Sequence, residues 1–189
     1  MRVQIWPSIH PVSGLSEIAL LMPPPAGHEP EYFDWSQIEE DLGIHLPSDY
    51  KWFLERYGMG EIDDFLLLFH PTTTNQHINL KNQIAETLWA LRVVRDDGEQ
   101  VPYTIFPEPG GVVPWARTDN GDVCYWLTHE PDPDSWIVVV NESRGPEWVA
   151  YGGSATEFLA EVLSGRRQVS IFPENFPSPR PTFTVLPEA

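Results

Sequence analysis

The chain has 189 residues, of which 41% are hydrophobic, and this apolar content is enough to bury the core of one domain. Its formal net charge is −17, from 28 acidic and 11 basic residues, so it lacks the basic footprint that binding to nucleic-acid phosphates or to an anionic membrane requires. The same charge would attract a basic protein partner, although acidity also serves solubility alone.

Cys124 is the only cysteine, so an intrachain disulfide is impossible, which fits a reducing compartment. Residues 1–7 lack the apolar region of a signal peptide, and the apolar run at 18–22 is too short to span a membrane. We therefore expect a cytoplasmic protein. Cys124 is interpreted as a small side chain packed in a strand, since a nucleophile would need a histidine partner that the sequence does not identify.

Proline interrupts residues 1–33, which are predicted to form an N-terminal extension carrying one strand. Ordered structure is predicted to begin at Asp34, which can cap a helix over residues 35–42. Gly43 follows this helix and can end it, because glycine is common just beyond a helix C-terminus.

A second helix is predicted to begin near Pro47 and Asp49, since proline and a carboxylate are both favoured in the first turn. It is expected to end at Gly58. Its apolar stripe consists of Tyr50, Phe53, Leu54 and Tyr57. The continuous apolar run at 65–69 then predicts a buried strand.

A third helix is predicted over residues 80–95, where apolar residues recur at helical spacing. Strands are predicted over 101–106, 112–117, 123–128, 135–141 and 148–151. The Asp-Asn-Gly-Asp sequence at 119–122 predicts a hairpin turn between two of them, because Asn-Gly is a strong hairpin signal.

The last helix is predicted from a capping box, in which Ser154 and Glu157 satisfy the free amides of the first turn. Residues 166–189 form a proline-rich tail that is expected to lie against the domain or to reach for a partner. Helices come first, then consecutive strands, then a helix. This order favours one α+β domain over residues 34–165, with a largely antiparallel sheet.

Several motifs, taken in order, carry a family resemblance. They are residues 38–43, the Leu46-Pro47-Ser48-Asp49-Tyr50-Lys51 segment, the run 66–71, Pro114-Trp115, the turn 119–122 with Trp126, and Phe158-Leu159. Together they resemble the SUKH superfamily, the family of the fungal cell-wall-assembly regulator domain and of many bacterial immunity proteins. The resemblance covers about residues 34–165 and leaves out both proline-rich ends.

The resemblance implies a bent, largely antiparallel sheet flanked by helices, and a protein-binding role. It also implies, as a leading hypothesis, an immunity protein of a polymorphic toxin system that occludes a cognate bacterial toxin. Two other hypotheses stay open: a regulatory or scaffold domain of the same fold, and a carbohydrate-binding module or glycosidase that uses tryptophans and carboxylates.

No catalytic motif is present: the sequence has neither a Gly-x-x-x-x-Gly-Lys phosphate loop nor a His-Glu-x-x-His zinc helix. The six histidines have no ligand-like spacing, and the acidic turn at 119–122 lacks the distal glutamate of a calcium loop. We therefore predict no enzymatic activity, no cofactor and no metal site.

Partner-binding residues are sought where the matched motifs meet acidic or aromatic side chains. The candidates are Glu61, Asp63, Asp64, Trp115, Asp119, Asp122 and Trp126. Ordinary structural roles compete with this interpretation, since aspartates stabilise hairpin turns and tryptophans fill cores. With a charge of −17, the expected partner is a basic protein, such as a nuclease toxin that itself grips phosphates.

Overall fold

A computed structural model describes residues 11–188, with side chains from residue 14 onward, and shows one antiparallel sheet with helices on both faces. The helices are α1 (Pro11–Leu21), α2 (Trp35–Leu42), α3 (Ser48–Tyr57), α4 (Leu80–Asp96) and α5 (Ala155–Leu163). The strands are β1 (Gly60–Ile62), β2 (Leu66–Leu68), β3 (Val112–Thr118), β4 (Val123–Leu127), β5 (Ile137–Asn141), β6 (Trp148–Tyr151) and β7 (Phe183–Val185). The predicted α+β fold is confirmed.

Every strand in the sheet is antiparallel to its neighbour, in the order β6-β5-β4-β3-β2-β1-β7. Six strands follow one another as a meander, and only β7, from the end of the chain, is placed out of sequence order beside β1. The register shifts between Pro114 and Ala116, so Trp115 sits in an irregularity of β3. Such a bulge bends the strand and increases its twist.

The two faces of the sheet differ in how they are covered. One face contributes Ile62, Leu66, Leu68, Trp126 and Val138 to the main core, where helices α1, α3 and α5 pack. The opposite face is covered by α4 over β3 and β4, where a smaller cluster forms. That cluster contains Leu88, Leu91, Ile105, Val112 and Tyr125.

The helices that carry the main core are fixed at their N-termini by carboxylates. Asp49 in α3 is buried, and its Oδ2 accepts hydrogen bonds from the Thr156 backbone N–H at 2.8 Å and from the Thr156 hydroxyl at 2.9 Å. The predicted capping box is confirmed beside it, with Glu157 Oε2 accepting from the Ser154 N–H at 3.0 Å. The free amides at the start of α5 are therefore satisfied, as buried polar groups require.

A second carboxylate joins α2 to the start of α3. Glu39 accepts hydrogen bonds from His45 Nδ1 and from the Leu46 N–H, both at 2.8 Å, and forms an ion pair with Lys51. Partial burial acts to raise the pKa of Glu39, but these three donors lower it to about 2. At pH values well above this folded pKa the carboxylate is ionised, and it then holds the α2–α3 connection.

The predicted helices over 35–42, 80–95 and after Ser154 are confirmed, as are the hairpin strands β3 and β4. The predicted strand over 101–106 is wrong. Only an isolated bridge joins Ile105 to Val112, because Pro102 and Pro107 lack the N–H that a ladder needs. Trp35, the first residue of α2, is only partly buried, and its Nε1 donates to Glu55 at 2.7 Å.

Both ends of the described chain pack onto the main core. A strand was expected in the N-terminal extension, but residues 11–21 form helix α1, and residues 1–10 lie outside the described part. Helix α1 buries Ile18, and Met22 is buried just beyond its end. The tail buries Val169, Phe172 and Phe176 and then adds β7 to the sheet. The domain boundaries at residues 34 and 165 stay a prediction.

Helix α1 crosses α5 at a glycine. A Cβ atom on Gly14 would lie 2.9 Å from the Glu157 backbone nitrogen and 3.0 Å from the Thr156 carbonyl carbon. These are backbone atoms of the first turn of α5, which cannot move without disturbing its caps. The absence of a side chain at residue 14 therefore sets how closely the two helices approach.

We predict that Gly14→Ala lowers the free energy of unfolding by about 1–3 kcal/mol, the usual cost of overpacking. Helix propensity alone would make this substitution stabilising by about 1 kcal/mol, so the sign of the change identifies the helix crossing as the cause. Chemical denaturation measures the effect. Leu20→Ala on the same helix is the control, since Leu20 is 84% exposed. A Gly14→Ala protein more stable than the wild type would contradict this packing.

Candidate functional site

A groove opens on the face of the sheet opposite the main core, beside α4. Glu61, Leu67 and Arg117 are cross-strand neighbours on β1, β2 and β3, and all three are half-buried. The groove has a volume of about 250 Å³. Its lining residues are Glu61, Phe65, Leu67, Arg117, Thr118, Asp119 and Gly121. We call this feature the acidic groove.

Two tight turns bring the carboxylates to the acidic groove. The β1–β2 turn holds Asp63 and Asp64 at positive φ of 52° and 51°, a conformation that aspartate tolerates better than most residues. The β3–β4 turn is fixed to it, because the Asp119 N–H donates to the Phe65 carbonyl at 2.8 Å. Residues almost 60 positions apart in sequence thus share one rim.

The acidic groove concentrates negative charge. Partial burial, followed by the nearby charges of Asp64 and Asp119, raises the pKa of Glu61 above its ordinary value. The basic residue that lines the groove is Arg117, whose Nη1 donates to Gln83 Oε1 of α4 at 3.4 Å. The three carboxylates repel one another, so a positively charged group entering the groove would relieve that repulsion.

The other candidate site residues from the sequence have structural contacts. Asp63 accepts hydrogen bonds from the Ser178 N–H and the Thr182 N–H, both at 2.8 Å, and so holds the tail. Asp122 is buried; it accepts from the Thr118 hydroxyl at 2.9 Å and from the Ser143 N–H at 3.0 Å. The predicted role of Asp122 in direct partner contact is therefore corrected, because its buried carboxylate stabilises the hairpin.

The four tryptophans of the strand region, Trp115, Trp126, Trp136 and Trp148, do not form an exposed platform. Trp115 and Trp126 are fully buried and stack with ring centroids 6.0 Å apart, and Trp136 packs against Trp126. Trp148 is half-buried against Tyr103 and Tyr125. The predicted role of Trp115 and Trp126 in partner contact is thus corrected, because both side chains are buried. These four tryptophans also provide no exposed aromatic surface on which a sugar could stack.

Cys124 is fully buried in β4, with its side chain in the main core. Burial, together with the charge of Asp122, raises the pKa of its thiol far above the ordinary value. The thiolate form that a nucleophile needs is therefore not populated near neutral pH. The structural interpretation of this cysteine agrees with its placement.

A comparison with family models decides the family. The model of SUKH_6, described as SMI1-KNR4 cell-wall, matches residues 34–159, which is more than half of the chain. The chain belongs to the SUKH superfamily. No solved structure matches it. The SUKH match includes every residue that lines the acidic groove, whereas α1, the tail and β7 lie outside it.

Among the described residues of this SUKH chain, no three His, Cys, Asp or Glu side chains are placed to hold a metal ion. Within the same residues, no helix combines the length and apolar character needed to cross a membrane.

Sequence reasoning missed part of the acidic groove. Leu67 and Arg117 were not predicted as site residues, although the alternation of side chains along a strand indicates which face Leu67 occupies. Leu66 and Leu68 point into the main core, so Leu67 between them must face the other way. The pairing of Leu67 with Arg117 depends on the register of β2 and β3, which alternation alone does not supply.

We predict that Asp63→Ala releases the tail and lowers the free energy of unfolding by about 1–3 kcal/mol, since donors in the tail lose their acceptor. Hydrogen exchange should show faster exchange at the Ser178 and Thr182 amides. Asp64→Ala is the matched control, because Asp64 has a similar φ but, among the described residues, accepts a hydrogen bond from the tail through the Thr184 hydroxyl alone, at 3.2 Å. Equal protection in both variants would contradict the anchoring role of Asp63.

We predict that Glu61→Gln stabilises the protein near neutral pH. The folded pKa of Glu61 is raised, so its ionised form opposes folding; this penalty is full above the folded pKa and disappears below the unfolded pKa. The gain should be below about 1 kcal/mol at pH 7, as for other surface charges, and should vanish below about pH 4. Denaturation at both pH values measures it, with exposed Glu99→Gln as the control. Destabilisation at pH 7 would contradict the repulsion.

Proposed function

We propose that this SUKH chain is an immunity protein that binds a cognate bacterial toxin and occludes its active site. The observation that carries the proposal is the acidic groove, which is lined by Glu61 and Asp119 and lies close to Asp64, so that like charges are held together despite their mutual repulsion. Proteins commonly keep such unfavourable charge where binding requires it. Family membership supports a protein as the ligand.

The proposed toxin carries a basic active site, as a nuclease does when it grips phosphates. A lysine or arginine of that site would enter the acidic groove and meet Glu61 and Asp119, while Leu67 and Phe65 contact its apolar stem. The chain's net charge of −17 adds a long-range attraction that speeds encounter. The action is binding and requires no catalysis by this chain.

The test is neutralisation of the product of the gene adjacent to the one that encodes this chain. That product is expressed in a bacterial host with and without the chain, and growth is measured. We expect wild-type chain to restore growth. A triple variant, Glu61→Gln with Asp64→Asn and Asp119→Asn, should restore it at least about tenfold less well, because a charge-assisted contact contributes more than 1.4 kcal/mol.

A matched control removes the same charge elsewhere, through Glu29→Gln, Glu99→Gln and Glu174→Gln, three exposed residues outside the groove. This control should neutralise as well as the wild type. If both triple variants lose activity equally, net charge rather than the groove is responsible. If the wild-type chain does not neutralise the adjacent gene product, the immunity proposal is wrong and a regulatory or scaffold role of the same fold becomes the better account.

A further inference from the structure

The solvent-facing side of α4 carries an exposed apolar strip. Trp89 is 66% exposed, and Val93, one turn further along, is 38% exposed. Ala85 and Ala90 are also exposed, so no long polar side chain screens the indole from these directions. We call Ala85, Trp89, Ala90 and Val93 the α4 ridge. The inner face of the same helix buries Leu88 and Leu91 in the smaller cluster.

The fold does not need these side chains on the surface. The inner face of α4 is already complete, and Trp89 is absent from both apolar clusters. Tyr32, a second strongly exposed aromatic residue, directly precedes Phe33, which packs against the main core. An exposed tryptophan with a valine one turn away is instead typical of a binding anchor, since tryptophan is enriched at the energetic centre of interfaces.

The α4 ridge lies on the helix whose first turns contact the acidic groove. Gln83 of α4 contacts Arg117 of the groove, and Trp89 follows six residues later, about 9 Å along the helix axis at 1.5 Å per residue. A protein–protein interface of standard size covers about 800 Å² on each partner, a patch roughly 30 Å across. One partner can therefore cover the groove and the ridge together.

We propose that the α4 ridge is the second half of the toxin-binding surface, with Trp89 inserted into an apolar pocket of the same basic toxin whose cationic side chain enters the acidic groove. This inference rests on the proposed function. Charge complementarity identifies the occupant: Glu61 and Asp119 line the groove, the charge of Asp64 acts on Glu61 from nearby, and the exposed Glu86 lies one turn before Trp89. A second copy of the chain fits poorly, because each copy carries a net charge of −17.

The two halves have separable kinetic roles. Charges at the groove act at long range and increase the association rate, so their effect falls as salt rises over a screening length of about 8 Å at physiological ionic strength. The indole acts only after contact and slows dissociation. Substitutions in the two halves should therefore change different rate constants.

The experiment measures association and dissociation rates against salt by biolayer interferometry, with the purified product of the adjacent gene as the probe. The chain is compared as wild type, Trp89→Ala, the Glu61→Gln/Asp64→Asn/Asp119→Asn variant and Tyr32→Ala. We expect Trp89→Ala to raise the dissociation rate by about 30-fold or more, with an unchanged association rate and salt slope. The groove variant should lower the association rate and flatten its salt slope, and Tyr32→Ala, 94% exposed at the surface, should change neither.

Each of three other results would contradict the proposal about the α4 ridge. If the wild type binds and Trp89→Ala dissociates no faster than Tyr32→Ala, the ridge is not part of the interface, while the proposed function stands. If the wild type does not bind the probe, the proposed function fails and this inference fails with it. If sedimentation shows a wild-type dimer that Trp89→Ala converts to monomer, the ridge joins copies of this chain, and the proposal is overturned.

Discussion

The buried carboxylate of Asp49 is the contact on which the helical layer depends. This side chain of α3 accepts hydrogen bonds from the backbone N–H and the hydroxyl of Thr156. Thr156 lies in the turn where Ser154 and Glu157 cap α5 and where Gly14 of α1 makes its closest approach. Three helices thus meet at one turn. Because a buried carboxylate must be fully hydrogen-bonded, small displacements there are costly, and α5 is held where Phe158 meets Trp115.

One face of the sheet is buried in that core, so charged side chains of β1 to β3 are placed on the opposite face. β1 and β2 are only three residues long, so their single half-exposed positions, Glu61 and Leu67, become neighbours of Arg117 in one row. Burial, followed by the nearby charges of Asp64 and Asp119, raises the pKa of Glu61, so the ionised form of this carboxyl is disfavoured in the free protein. The groove therefore lies on the face away from the main core, so its charges can change without repacking that core.

Local signals in the sequence predicted local structure well and side-chain exposure poorly. The capping box at Ser154, the Asn-Gly hairpin and the stripe of α3 each depend on residues close in sequence, and each was correct. The burial of Trp115 and Trp126 and the tail contacts of Asp63 could not be predicted, because both depend on distant segments. Trp89 was overlooked because periodicity identifies the buried side of α4 and says nothing about what an exposed residue contacts.

The pairing of β7 with β1 links parts of the chain that are made at different times. Thr184, which contacts Asp64, is 120 residues further along the sequence, so a ribosome completes most of the protein before β1 acquires its outer neighbour. Until then β1 is an open edge, and open edges invite pairing with other chains. Glu61, Asp63 and Asp64 give that edge a cluster of negative charge, which discourages such pairing. The negative charge of this edge therefore opposes pairing of β1 with another chain whenever β7 is not in place.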